Sequence, residues 1–197
     1  MANREPQGSS QIVIPMSRPE RSTFALVGFI CCVAFVSLSV AQHTQQLPKT
    51  EGESLAGHRV VLPDAAAGNI AVLIFGFSKA SKVPTSAWAR KLQVDFGTRT
   101  GFALYQLPVL EDVPKLIRGM VISGIKKGVP ENARDRFVPI LQGEANLKSL
   151  VHYKEQNDAY LVILDRAGHI VQQSHGAPNE TNYPELQGQI ESLLSEK

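Results

Sequence analysis

Apolar and polar positions repeat at three different periods along the chain, and the changes of period mark its elements. Residues 24–41, FALVGFICCVAFVSLSVA, contain no charge, and a bilayer-spanning helix takes about 20 mainly apolar residues. The next stretch, 42–57, is polar and carries Pro48, Gly52 and Gly57, the composition of a linker. HRVVLP at 58–63 is a short extended run ended by proline. The continuous apolar run at 71–77 predicts a strand buried on both faces. A helical period follows at 85–97, where Trp88, Leu92 and Phe96 fall on one face. Residues 101–108 predict a second core strand, and 113–127 an amphipathic helix interrupted by Gly119 and Gly124. Residues 136–141 predict a third strand, and 146–155 a helix capped by Asn146. Two runs, 159–164 and 169–173, are joined by the turn Asp165, Arg166, Ala167, Gly168 and predict a β-hairpin. Leu186, Ile190, Leu193 and Leu194 then line one face of a last helix at 183–194. Strand–helix alternation followed by a hairpin predicts an α/β fold, a mixed sheet flanked by helices. No internal repeat or low-complexity tract interrupts it.

At 197 residues the chain has room for one domain plus a targeting segment. The domains expected are a leader (1–23), an anchor or signal segment (24–41), a linker (42–57) and a folded domain (58–197). Arg4, Arg18 and Arg21 precede the apolar run, which favours an inside N-terminus and a domain outside the cytoplasm. Ser39, Val40 and Ala41 form a small-x-small site, so secretion after cleavage at Ala41 is the alternative to an uncleaved transmembrane anchor. Glu5 and Glu20 argue against a mitochondrial presequence. With 43% apolar and 19% charged residues and a net charge of +2, the chain is neither a disordered polyelectrolyte nor a general nucleic-acid binder. Both cysteines, Cys31 and Cys32, lie inside the apolar run. Phe29 and Ile30 stand before them where a lipid-attachment site wants small residues, so they are expected to be buried apolar-like side chains. From Val33 onward there is no cysteine, hence no internal disulfide, thiol nucleophile or zinc–thiolate site in the folded domain.

Gly68, Asn69 and Ile70 leading into AVLIFGF, and the run YLVILDRAGHIVQQSHG ahead of a last helix, give the chain its resemblance. Over residues 56–195 it resembles the thioredoxin-like superfamily. More closely, FGFS, the lone Trp88 and the run YLVILDRAGHI…HGAPNE resemble the mitochondrial ATP-synthase assembly-factor family and its bacterial relatives. The resemblance implies a thioredoxin-like mixed sheet whose first core strand leads into the functional loop. In redox members that loop carries Cys-x-x-Cys at a helix N-terminus, where the dipole and backbone N–H groups stabilise a thiolate. The matching residues here are Ser78 and Ser81, so the spacing survives without the sulfur. At the place of the family's cis-proline stands Ala159, which does not favour a cis bond.

These features imply a non-catalytic domain that binds a membrane-associated protein partner, as an assembly or chaperone factor for a membrane complex such as ATP synthase. The alternative is a thiol-redox or peroxiredoxin-type oxidoreductase. The expected partner-binding residues are Ser78, Lys79, Ser81, Lys82 and Ala159 beside the loop, with Arg118, Lys126 and Lys127 from a basic segment. In that segment, 113–136, six basic residues stand against Glu131 and Asp135. It reads either as contact with an anionic membrane or acidic partner, or as a helix covering one sheet face with its charges in water. No cofactor, metal or nucleic acid is expected. The histidines His43, His58, His152, His169 and His175 show no metal-ligand spacing. His175 and Glu180 read as surface loop residues. Ser78 with Lys79 or Lys82 lacks the GxSxG context of a serine nucleophile, and phosphate-cradling glycine loops are absent.

Overall fold

The apolar run read at 71–77 forms a strand, Ile70–Gly76, in which all seven residues are buried. Alternate side chains of a strand point to opposite faces, so burial on both sides requires a layer above and a layer below. The computed structural model describes residues 45–196. Its strands are β1 (Thr50–Glu53), β2 (Arg59–Leu62), β3 (Ile70–Gly76), β4 (Phe102–Pro108), β5 (Ala159–Leu164) and β6 (Ile170–His175). Its helices are α1 (Lys82–Phe96), α2 (Lys115–Lys127), α3 (Glu144–Leu150) and α4 (Asn182–Ser195). The expected leader, the apolar run 24–41 and the cleavage site at Ala41 lie outside the described residues. Among those described, no helix is long and apolar enough to cross a membrane.

The main sheet has the order β4-β3-β5-β6, with β3 parallel to β4 and antiparallel to β5, and β5 antiparallel to β6. Ile70, Val72 and Ile74 point into one core with Leu161 and Ile163, closed by Trp88, Leu92 and Phe96 of α1 and Leu186 and Ile190 of α4. Ala71, Leu73 and Phe75 point the other way, against Val60 and Leu62 of β2 and Leu147 and Leu150 of α3. Burying each large apolar side chain contributes about 1.5–3 kcal/mol, so the double-sided β3 is the element on which both layers depend.

Four expectations change. The stretch read as a linker is part of the domain from Gln45 onward: Ile170 N–H bonds Gln45 O at 2.8 Å, Leu47 is buried, and β1 pairs with β2. Its polarity misled because Glu51 and Glu53 face solvent while polar Thr50 is buried and Gly52 lies against Val138 and Pro139. Residues 136–141 do not form a full strand. They run beside β4 through isolated bridges, Gln106 with Phe137 and Val109 with Ile140, and Pro139 lacks the N–H that a continuous ladder needs. The third helix is α3, starting after Gly143, whose φ of 85° is left-handed, and stopping before His152, whose φ of 51° turns the chain out of the helix. Finally, α2 continues through Gly119 and Gly124 yet buries none of its residues. It is not the sheet-covering helix that its pattern allowed.

Candidate functional site

Strands β3 and β4 end at the same edge of the sheet, since Gly76 pairs with Pro108, and β5 starts there, since Ala159 pairs with Gly76. His175, at the end of β6, lies opposite Tyr160 at this same edge. The loop between β3 and α1, the lead into α2 and the loop before β5 therefore converge at one end of the domain.

The 78–81 loop is closed on itself. The Ser78 hydroxyl accepts the N–H groups of Ala80 and Ser81, each at 3.1 Å. The Ser81 hydroxyl donates to Ser78 O at 2.7 Å and accepts Ser78 N–H at 3.3 Å. Ser81 is 1% exposed, whereas Ser78 is half-buried and Lys79 and Lys82 are exposed. Gly76 is what lets the loop sit so close: a Cβ there would stand 2.7 Å from Ser81 Oγ. Each hydroxyl thus serves backbone groups of the turn that precedes α1, the ordinary role of serine in a tight turn, and neither caps the helix itself. Ala159 is fully buried, and its carbonyl accepts Gly176 N–H at 2.9 Å. Its side chain is not at the surface.

Beside this loop stands an aromatic cluster that no sequence spacing revealed, because its members come from three separate segments. Phe77 lies edge-on to Tyr153 at 5.3 Å and to Tyr160 at 5.6 Å, and Tyr153 stacks on Tyr160 at 5.5 Å. The buried Tyr160 hydroxyl accepts the N–H groups of Lys154 and Glu155 and donates to Glu155 O, which pins the loop before β5. Lys148 reaches the Tyr153 ring, 4.8 Å from its centroid, and bonds Glu144, a buried carboxylate, at 2.5 Å. The contact with Glu144 raises the lysine's pKa. Half-buried Phe77 and Tyr153 and exposed Lys79 and Lys82 lie in these converging segments, which also carry Asp112, Glu155 and Asp158.

The remaining expected residues lie elsewhere. Arg118 on α2 donates to Val113 O at 3.1 Å and Glu111 O at 2.9 Å, which ties the helix to its own entry loop. Lys126 and Lys127 are exposed in its last turn. His175 bonds Asp158, at 3.1 Å, and not Glu180. Among the described residues no three His, Cys, Asp or Glu side chains are grouped to hold a metal ion.

No family model matches the chain, and no curated protein matches it. Solved structures do. DsbE from Chlorobium tepidum, described as a thiol:disulfide interchange protein, is 20% identical with a TM-score of 0.56, covering 77% of this chain and 97% of its own. BsSco, a member of the Sco family of cytochrome c oxidase assembly proteins, is 11% identical with a TM-score of 0.54, covering 79% of this chain and 96% of its own. The exposed lipoprotein thioredoxin Etrx1 from Streptococcus pneumoniae is 12% identical with a TM-score of 0.53, covering 74% and 100% respectively. The domain therefore has a thioredoxin-like fold. Its 78–81 loop carries two hydroxyls.

Proposed function

We propose that this chain is a membrane-tethered protein whose thioredoxin-like domain binds another protein and does not exchange disulfides. The partner docks at the end of the sheet that presents Phe77, Lys79, Lys82 and Tyr153. In this reading 24–41 is the anchor and the domain lies outside the cytoplasm; cleavage at Ala41 releases it with the binding chemistry unchanged. The task is assembly or chaperoning of a membrane complex such as ATP synthase, a role for which the likeness to BsSco, from a family of assembly proteins, is support. Membership in the ATP-synthase assembly-factor family rests on the FGFS loop, Trp88 and the hairpin run.

The observation that carries the proposal is Ser81, a buried hydroxyl held in hydrogen bonds at the second position of the x-x-spaced pair. The thiolate is the nucleophile in disulfide exchange, and no residue after Cys32 supplies one. The likeness to DsbE favours the other reading, a thiol-redox or peroxiredoxin-type oxidoreductase. The two are separated with a photo-crosslinker at exposed Lys79 in the full-length, membrane-embedded chain, with and without Cys31→Ser/Cys32→Ser. The expected result is one trapped partner at equal yield in both backgrounds, and background rates in disulfide-reduction and peroxidase assays. Loss of the partner in the cysteine-free chain, or thiol-dependent turnover, overturns the proposal.

A further inference from the structure

A 13-residue helix with no buried residue is an unusual thing to find in a folded domain, since helices owe most of their stability to a packed face. At 100° per residue, Leu116, Met120, Ser123 and Lys127 follow one stripe of α2 (i, i+4, i+7, i+11), with Gly119 and Gly124 beside it. Leu116 is 97% exposed, Met120 76% and Ile117 43%. Arg118, Val121, Ile122 and Ile125 occupy the opposite side and are half-buried. Lys115, Lys126 and Lys127 are exposed, and no acidic residue lies between 113 and 127.

We infer that the outward stripe of α2 is a docking surface for an acidic amphipathic segment of a partner protein. Leu116, Met120 and Ile117 would be its apolar anchors, and Lys115, Lys126 and Lys127 would pair with Asp or Glu flanking the partner's own apolar face. The glycines matter to this geometry: a Cβ at Gly119 or Gly124 would meet nothing within 4 Å, so a second backbone can approach closely there. A second copy of the chain is disfavoured because its α2 carries the same uniform positive charge, and like charges placed face to face repel. A lipid surface is disfavoured because the stripe has no Trp, Tyr or Phe, the residues that seat interfacial helices. The surface is separate from the 78–81 loop, so it stands or falls apart from the reading above.

The test is a photo-reactive benzoylphenylalanine at Met120 in the full-length chain in intact cells, with the crosslinked peptide identified. The expected product joins Met120 to a protein segment that combines apolar positions with net negative charge. Its yield falls about fivefold or more in Lys126→Glu/Lys127→Glu, because reversing charge at an interface removes attraction and adds repulsion. The same pair, reassembled from unmutated proteins, weakens roughly tenfold as salt rises from about 50 to about 500 mM, where screening shortens to a few ångströms; that measurement does not depend on the variant folding. Crosslinks to lipid only, to a second copy or to a segment without acidic residues, no crosslink at all, or binding indifferent to salt each overturn the inference.

Discussion

The 78–81 loop and helix α2 leave the same edge of the same sheet, one after β3 and the other after β4, and they resolve their chemistry in opposite ways. In the loop, both serine hydroxyls are consumed by backbone groups of the loop itself, and Ser81 is buried against Gly76. In α2, apolar side chains stand in water and cations stand without acidic neighbours along the helix. The two serines build a structural turn. A helix with no buried residue keeps surface that folding does not use. The contrast separates likeness of position from availability for contact, and it moves attention from the hydroxyls to the side chains around them, Phe77, Lys79, Lys82 and Tyr153.

The contrast can be broken by substitution. The largest effect is expected at the helix that the loop starts: Trp88 is fully buried and its indole N–H donates to Gly176 O at 2.8 Å. Trp88→Ala should cost about 3–5 kcal/mol, read as a lowered denaturant midpoint. Ser81→Ala comes next. It strands the Ser78 carbonyl that the hydroxyl serves, and should cost about 1 kcal/mol in the same measurement.

A smaller effect is expected at the turn joining β5 and β6. Burial pushes the Asp165 carboxyl up, but the His169 and Ala167 N–H groups and the His169 ring outweigh it and hold its pKa below the ordinary carboxylate value. A carboxylate with a lowered folded-state pKa contributes stability that is present above its unfolded value and lost as pH falls through the folded one. Stability should therefore drop on acidification below about pH 4, and less steeply in Asp165→Asn, as urea titrations at successive pH values would report. The smallest effect is the sharpest comparison. Leu116→Ser/Met120→Ser should leave stability within about 0.5 kcal/mol, although it removes two large apolar side chains. A loss comparable to that of Trp88→Ala would mean that α2 is packed against the domain after all.

Legibility followed the same division. The β3 run, the Trp88, Leu92, Phe96 face and the hairpin around Asp165 and Gly168 were readable because period and turn chemistry are local properties. The serine spacing was equally readable. Strand β1 was not, because four residues paired to a single neighbour carry no continuous apolar signal. Residues 136–141 looked like a strand because Phe137, Val138, Ile140 and Leu141 make a short apolar run, and such a run does not report how many hydrogen bonds a neighbour supplies. For α2 the amphipathic pattern was clear, but whether another layer lay beneath it was not.

Alternation and spacing were enough to name β3, β4, α1, the β5–β6 hairpin and the α/β class, and the composition showed that no thiol follows Cys32, because each depends on neighbours a few residues apart or on composition alone. Burial of Ala159, the joining of Phe77 to Tyr153 and Tyr160, the incorporation of 45–57 and the bare face of α2 depend on residues distant in the chain becoming neighbours in space. Solvent exclusion is a property of the assembled layers, and no stretch of sequence carries it alone.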